Sequence, residues 1–197
     1  MGASVDRAIE RWSDELGGVF SMADLRVVLG DRTDAALYKR LEGLQAAKVL
    51  VKVKRGVYAT PKAKLTCISH RICPSAYLST GTVLASATAI GSIPARRVQA
   101  VKTGRPRTYR FELGVIEHLS IQSPLYFGFR SEDGILCATP EKAFLDVSYY
   151  TFRGKRFSFD PATDINTVGL DWDLVHEYLE RYGKRFKSYF NRIWGNR

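Results

Sequence analysis

Apolar residues near the start of the chain recur at every third or fourth position, which is the period of an amphipathic α-helix. This pattern predicts three successive helices, over residues 6–16, over residues 22–29, and from Asp31 or Thr33 to about Lys48. Gly17-Gly18 and Gly30-Asp31 separate them. Ser21 stands three residues before Asp24, which is the spacing of a capping box, so the second helix should begin there.

The third predicted helix has two unlike faces. Leu37, Leu41 and Leu44 form an apolar stripe that should face the core. The opposite face carries short side chains mixed with charged ones, namely Arg32, Ala35, Ala36, Lys39, Glu42, Gly43 and Ala46. Short side chains beside Lys and Arg let a helix approach a duplex closely, as a recognition helix does in the major groove.

After Lys48 the apolar period shortens from 3.6 to 2, which is typical of a β-strand. The alternation predicts two sides, with Val49, Val51 and Val53 on one and Leu50, Lys52 and Lys54 on the other. Gly56 supplies a positive φ for a tight turn, and residues 57–59 return as a second strand. Residues 48–71 contain seven Lys or Arg and no Asp or Glu, so this surface carries one sign of charge.

A helix-turn-helix followed by a basic hairpin is the sequence outline of a winged DNA-binding domain. In this interpretation Arg32, Ala36 and Lys39 face bases, while a second set holds phosphates or enters the minor groove: Arg40, Lys52, Lys54 and Arg55. The alternative is a protein-contact module with a solvated basic loop. Residues 1–60 contain ten Lys or Arg against eight Asp or Glu, so the placement of the charges, rather than their sum, favours DNA.

The hydrophobic pattern restarts after the Pro-containing stretch 60–62, which predicts domains over residues 1–62 and 63–197. The second domain should contain a buried helix over 76–90, interrupted near Gly81, and strands over 98–102, 107–113, 116–121, 125–129 and 134–138. Thr139 and Pro140 fit the N-cap and first position of a further helix, and another helix is expected over 172–182 before a basic tail. The predicted fold class is α+β: a winged helix-turn-helix followed by a mixed α/β domain with a mainly antiparallel sheet.

The formal net charge of +10 over 197 residues favours a polyanionic partner. No run of about 18 apolar residues exists, so no membrane partner is expected. The first 20 residues contain acidic side chains and lack the apolar core of a secretion signal, so we expect a cytoplasmic protein. The odd number of cysteines fits a reducing compartment. Cys67, His70 and Cys73 lack the paired short spacing of structural zinc sites, so neither a metal nor a cofactor is expected.

Two phrases of the sequence resemble the antitoxin component of the AbiE abortive-infection toxin–antitoxin systems. They are the hairpin phrase KRGVYA (54–59) and the helix-opening phrase ATPEKAFLD (138–146). The resemblance covers about two thirds of the chain, residues 19–150. It implies a bacterial transcriptional repressor that binds repeats in its own promoter and is encoded beside a nucleotidyltransferase-like toxin. It also implies a C-terminal antitoxin domain that neutralises that toxin, commonly without a stable toxin complex.

No active site is apparent in the sequence, so we do not expect an enzyme. Glu141 and Asp146 lie five residues apart, an awkward spacing for one helix face. We expect Glu141 to favour the positive end of its helix and Asp146 to pair with a nearby Lys or Arg. The three histidines have no Ser or Cys partner at a recognisable spacing. Gly154-Lys155 lacks the upstream glycine of a phosphate-binding loop.

A second basic cluster contains six cations within fifteen residues and no acid: Arg96, Arg97, Lys102, Arg105, Arg107 and Arg110. Tyr109 and Phe111 share one side of a predicted strand with Arg107. Single-stranded nucleic-acid binders also use aromatic and basic residues on a sheet face. The cluster is equally consistent with a solvated edge hairpin. Two alternatives to DNA-bound autorepression therefore stand: a toxin-neutralising interaction module without DNA binding, and an RNA-binding factor acting through this cluster.

Overall fold

Three helices and a small antiparallel sheet form the N-terminal part of the protein, whose computed structural model describes residues 2–91 and 93–195. The helices are α1 (Gly2–Leu16), α2 (Met22–Leu29) and α3 (Asp34–Ala46). The strands are β1 (Val19–Ser21), β2 (Val51–Lys54) and β3 (Val57–Ala59), in the sheet order β1-β3-β2. Their shared core contains Ile9, Phe20, Leu25, Leu37, Leu41, Leu50 and Tyr58.

The predicted start of α2 is confirmed in both halves of its capping box. Ser21 Oγ accepts the Asp24 N–H at 3.2 Å, and Asp24 Oδ2 accepts the Ser21 N–H at 2.7 Å. Gly30, with φ +67°, ends this helix in the left-handed conformation that glycine adopts without strain. Thr33 caps α3 by accepting the Ala36 N–H at 3.3 Å. Local sequence therefore specifies both ends of the turn between α2 and α3.

The expected alternation after α3 is wrong at its beginning. α3 ends at Ala46, and Lys48 takes a φ of +57°. The N–H groups of Val49 and Leu50 then both bond to the Leu44 carbonyl, at 2.9 and 3.3 Å. This helix exit turns Leu50 into the core, where it is 1% exposed, so strand alternation begins only at Val51.

The remaining chain alternates helices and strands. The helices are α4 (Leu65–Ile72), α5 (Gly81–Ser86), α6 (Pro140–Phe152), α7 (Trp172–Leu179) and α8 (Lys184–Trp194). The strands are β4 (Tyr77–Leu78), β5 (Arg97–Lys102), β6 (Arg107–Phe111), β7 (Gly114–Ser120), β8 (Phe129–Glu132) and β9 (Ile135–Ala138). The fold is therefore mixed α and β, as predicted, although α4 was not predicted.

These six strands form one sheet in the order β6-β7-β5-β4-β9-β8. β4 pairs antiparallel with β5 but parallel with β9, and β8 pairs antiparallel with β9, so the sheet is mixed and contains one parallel pair beside the expected antiparallel ones. The predicted helix over 76–90 is wrong in its first part, because Tyr77 and Leu78 form β4 in the middle of the sheet. The strand expected over 125–129 is also wrong. A 3₁₀ turn occupies Ser123–Leu125, Gly128 adopts φ +74°, and β8 begins only at Phe129.

The chain forms two compact units. The first contains residues 1–73 together with 108–116, and the second contains residues 74–107 together with 117–197. The first unit thus includes α4, beyond the domain boundary predicted at residue 62. Among the described residues, no helix has the length and apolar character to cross a membrane.

Aromatic packing holds α6, α7 and α8 of the second unit together. The Phe144 ring lies 6.0 Å from that of Trp172 and 5.0 Å from that of Trp194. α8 buries Phe186, Phe190 and Trp194, which follow one another at four-residue intervals, and exposes Lys184, Arg185 and Arg192. The predicted basic tail is therefore an amphipathic helix up to Trp194, and its last two residues lie outside the described part.

Candidate nucleic-acid interface

The face of α3 that was predicted to point outward is exposed. Leu37, Leu41 and Leu44 are buried, as their spacing predicted. The exposed residues are Arg32, just before the helix, and Ala35, Ala36, Lys39, Glu42, Gly43 and Ala46. Tyr38, which the sequence analysis did not single out, adds an aromatic ring that is 52% exposed. The result is a helix surface of short side chains with a few long charged ones at its margins.

Two ion pairs fix α3 against α2. Arg40 Nη2 lies 3.0 Å from Asp31 Oδ1, and Arg40 Nη1 donates to the Leu29 carbonyl at 3.2 Å. Arg26 of α2 pairs with Asp34 in the first turn of α3. Arg40, predicted to hold a phosphate, is thus already engaged within the module. Its observed partners make it a residue that positions the helix.

The hairpin between β2 and β3 is as short as a hairpin can be. Arg55 and Gly56 form its two-residue turn, and Gly56 takes a φ of +77°. The Gly56 carbonyl accepts the Met22 N–H at 3.2 Å, so the tip is tied to the first residue of α2. Ser21 of β1 pairs with Val57 of β3 directly beside this contact. The cationic turn is therefore fixed to the start of α2.

Five of the six cations among the predicted contact residues have no acidic partner within the part of the chain that the structure describes. They are Arg32, Lys39, Lys52, Lys54 and Arg55. Lys54 is half-buried, and the other four are exposed. Cations without partners attract an external polyanion most strongly, because no internal ion pair has to break first.

Not every cation in the basic run over residues 48–71 lacks an acidic partner. Arg71 of α4 forms an ion pair with Asp24, the same carboxylate that caps α2. Burial alone would raise the pKa of Asp24, but its hydrogen bonds to Ser21 and its contact with Arg71 outweigh this effect and lower the pKa. Arg71 therefore stabilises α2. Sequence analysis missed this pair because its members lie 47 residues apart.

The second basic cluster does not gather at one point. Arg97 begins β5 and Lys102 ends it, a span of about 17 Å at about 3.3 Å per residue. Arg105 and Arg107 are exposed at the turn and the first residue of β6, and exposed Arg110 follows on the same strand. Arg96 is exposed with φ +62°. Tyr109 and Phe111 are half-buried, so they are not a fully open stacking platform.

The conspicuous carboxylates of the phrase ATPEKAFLD are structural. Asp146 pairs with Lys142 inside the second unit, and both side chains are fully buried. Asp146 Oδ2 accepts hydrogen bonds from Ser79 Oγ at 2.7 Å and Tyr77 OH at 3.0 Å, while Lys142 Nζ lies 3.0 Å from Tyr182 OH. Burial lowers the pKa of Lys142, and the attraction of Asp146 opposes that shift. The expected pairing of Asp146 with a nearby Lys is confirmed.

In the described part of the structure, the other candidate motifs of the sequence do not form a cluster of catalytic or metal-binding side chains. Glu141 Oε1 accepts the Asp171 N–H at 3.2 Å and joins the start of α6 to that of α7. Cys67, Cys73 and Cys137 are half-buried and form no disulfide within the described part of the chain. Over residues 2–91 and 93–195, no group of three or more His, Cys, Asp or Glu side chains is placed to hold a metal ion.

No family model matches the sequence, and no curated protein matches it either.

Proposed function

We propose that residues 1–73 contain a winged helix-turn-helix and that the protein binds double-stranded DNA through α3 and the β2–β3 hairpin. One observation carries this proposal: an exposed helix face of short side chains occurs in the same small unit as five cations that lack acidic partners. We further propose that the protein is a transcriptional autorepressor and antitoxin, in keeping with its resemblance to the AbiE antitoxins.

The dimensions of α3 fit the major groove. A groove about 12 Å wide admits a helix when the side chains on its leading face are short. Ala35, Ala36 and Gly43 meet that condition, and Arg32 and Lys39 have the length and charge to reach base edges or phosphates beside them. The caps at Ser21 and Thr33 and the Arg40–Asp31 pair support the proposal because they hold α3 in a fixed position.

The hairpin supplies contacts to the backbone of the duplex. Lys52, Lys54 and Arg55 lie on β2 and at its turn. Each phosphate that such cations neutralise releases counterions, which makes binding weaken as salt rises. We assign these three residues to phosphates, which fix the position of α3 in the groove but do not read sequence.

The direct test measures binding of the full chain to duplexes selected from a random pool, by fluorescence anisotropy at several salt concentrations. The double variant Lys54→Gln/Arg55→Gln should bind every duplex more weakly. Its slope of log K against log salt should be shallower by up to about 2, since each lost phosphate contact removes about 0.9. Lys39→Gln should instead reduce the preference for selected over random duplexes.

The matched control is Arg7→Gln/Arg11→Gln, which removes two exposed cations from α1 of the same unit. This variant should keep the wild-type salt slope. An equal loss in both double variants would reduce the proposal to non-specific attraction by net charge. Unchanged binding by Lys54→Gln/Arg55→Gln would remove the hairpin from the interface.

The antitoxin part needs a separate experiment. Expression of the nucleotidyltransferase-like protein encoded beside this gene should arrest growth, and co-expression of this chain should restore it. The Lys54→Gln/Arg55→Gln variant should still restore growth but fail to repress a reporter driven by the chain's own promoter. Co-purification of the toxin without any shift of promoter DNA would instead favour an interaction module without DNA binding.

A further inference from the structure

A small cavity opens on the second unit, beside β5 and β7. Its volume is about 220 Å³. Three cations line it, together with one carboxylate, two uncharged polar residues and three apolar residues: Arg97, Lys155, Arg156, Glu117, Gln99, Ser158, Ile93, Pro94 and Phe157. No residue of the proposed DNA interface belongs to this cavity, so the inference does not depend on DNA binding.

The end of α6 brings two of these cations to the cavity. Gly154, with φ +85°, reverses the chain, and the N–H groups of Gly154 and Lys155 return to the carbonyls of Thr151 and Tyr150, each at 2.9 Å. Lys155 and Arg156 follow this turn directly. Gly154-Lys155 is therefore no phosphate-binding loop in sequence, yet its lysine lines a cationic cavity in the fold.

A chain of hydrogen bonds forms the polar wall of the cavity. Buried Thr80 donates through Oγ1 to Gln99 Oε1 at 2.8 Å, and Gln99 Nε2 donates to Glu117 Oε2 at 2.8 Å. Lys155 Nζ donates to Glu117 Oε1 at 2.6 Å. Burial alone would raise the pKa of Glu117, but these bonds from Lys155 and Gln99 outweigh it and keep the pKa below its usual value. The one carboxylate of the cavity is thus ionised and already bonded through both oxygens.

The other two cations of the cavity, Arg97 and Arg156, make few interactions within the protein. Arg97 Nη1 forms an ion pair with Glu117 Oε2 at 3.8 Å, which is beyond hydrogen-bond distance, so its planar guanidinium keeps its hydrogen-bond donors for a ligand. Arg156 is exposed and pairs with no acid in the described part of the chain. Three cations face one engaged carboxylate, which leaves an excess of two positive charges. A ligand that matches this wall is a dianion with several acceptor oxygens.

The apolar part of the lining packs closely against its neighbours. The Phe157 ring centroid lies 5.4 Å from that of Phe159 and 5.5 Å from Lys155 Nζ. A Cβ on Gly81 would lie 3.0 Å from Ile93 Cγ2 and 3.1 Å from Phe159 Cε1, so the packing behind this wall leaves no space for a side chain there. A preformed wall of this kind suits the carbon skeleton of a ligand whose charged end meets the arginines.

We propose that this cavity binds a small phosphate monoester, with the phosphate on Arg97 and Arg156 and the organic part against Pro94 and Phe157. A phosphate monoester carries close to two negative charges and three free oxygens at neutral pH, which match the charge excess and the guanidinium donors. Pockets for drug-sized ligands measure about 300–1,000 Å³, so a cavity of 220 Å³ suits a group the size of a sugar phosphate. That group is either a free sugar phosphate or the phosphate and sugar of a mononucleotide.

Calorimetric titration of the full chain at fixed ionic strength tests the proposal. The probes are ribose 5-phosphate and the four ribonucleoside 5′-monophosphates, with ribose and the nucleosides as uncharged counterparts. Saturable binding of a phosphorylated probe, without binding of its counterpart, is expected. Preference for ribose 5-phosphate identifies a sugar-phosphate site, and preference for one nucleotide identifies a mononucleotide site.

Arg97→Gln and Arg156→Gln should each weaken that binding about tenfold, because each removes a charge-assisted contact. Arg156 is exposed, so its variant keeps the test valid even if Arg97→Gln disturbs folding. The control Lys184→Gln/Arg185→Gln removes two exposed cations of α8 and should bind as wild type does. The proposal is overturned if no monoester binds at millimolar concentration. It is equally overturned if a dinucleotide phosphodiester binds as tightly, or if the Arg156 variant matches the control.

Discussion

Arg40 of α3 and Asp31 of the preceding turn form an ion pair at 3.0 Å, and the Asp31 side chain is only 6% exposed. The same guanidinium also binds the last carbonyl of α2, that of Leu29. One side chain thus bonds both to the end of α2 and to the turn that follows it. The angle between the two helices of the proposed DNA-binding unit depends on this contact.

Arg40→Gln should destabilise the protein by about 1–3 kcal/mol, because it leaves a buried carboxylate without its partner. The double variant Arg40→Gln/Asp31→Asn should recover part of that loss, as measured by urea unfolding. If Arg40 only positions α3, the double variant keeps its DNA affinity. A loss of affinity and a shallower salt slope in the double variant would show that Arg40 holds a phosphate.

Glu42 lies on the exposed face of α3, three residues after Lys39. If this face meets DNA, its carboxylate repels the phosphates, and Glu42→Gln should raise duplex affinity about twofold to fivefold at low salt. Anisotropy titrations measure the change. Glu10→Gln on the exposed side of α1 is the control, and an equal gain in that variant would mean that net charge alone is responsible.

Lys142→Met should cost about 3–5 kcal/mol, because it leaves Asp146 charged and fully buried. Adding Asp146→Asn removes that charge, so the double variant should be more stable than Lys142→Met alone. Chemical unfolding of the wild type, both single variants and the double variant gives the coupling between the two residues. Strictly additive losses would contradict a coupled pair.

Burial of His118, which is 1% exposed, lowers its pKa to about 4, and the nearby charge of Lys102 adds to the shift. In the unfolded chain this histidine takes up a proton near pH 6.5. The unfolded state therefore binds more protons between pH 6.5 and 4, and the free energy of unfolding should fall by up to about 3 kcal/mol as the pH decreases through this window.

His118→Gln removes this titration and should flatten the stability profile between pH 6.5 and 4.5. The lowered pKa of Glu117 affects stability from its usual value of 4.5 downward, so the range between pH 6.5 and 4.5 reports on His118 rather than on Glu117. Urea unfolding at half-unit pH intervals provides the measurement. A variant with the wild-type slope in this window would assign the pH dependence to other groups.

A Cβ on Gly128 would lie 2.9 Å from Lys142 Cγ, and Gly128 has a φ of +74°. Gly134 has a similar φ of +80° but nothing within 4 Å. Both alanine variants suffer the backbone strain, so Gly128→Ala should cost about 1–3 kcal/mol more than Gly134→Ala through overpacking alone. Thermal or urea unfolding of the two variants compares them. Equal losses would mean that the core around Lys142 yields to the extra carbon.

Local signals account for what the sequence predicted correctly. Ser21 and Asp24 are three residues apart, and their capping box depends on no distant contact. The stripe of Leu37, Leu41 and Leu44 follows from helical geometry alone. The α3 contact residues Arg32, Ala36, Lys39 and Arg40 could be chosen from this pattern. Sequence could not show that Arg40 forms an ion pair whereas Arg32 and Lys39 do not, since this depends on which acids lie nearby in space.

The errors occur where distant contacts decide the structure. Tyr77 and Leu78 form a strand because β5 and β9 lie on either side of them, although their neighbours have helical composition. The cavity joins Arg97, Glu117 and Lys155 from three separate parts of the chain, so no spacing rule identifies it. Glu117 of β7 and Lys155, which follows the turn at the end of α6, are 38 residues apart and meet only in the folded protein.

The hydrogen bond between the Met22 N–H and the Gly56 carbonyl holds the hairpin tip and the start of α2 in one fixed arrangement. A free loop would have to give up conformational entropy on docking, whereas this turn has already lost it during folding. Its reach beyond the module is limited to the length of the Arg55 side chain. If α3 and this hairpin bind DNA, as we propose, they therefore act as a rigid template whose shape is the same before and after contact.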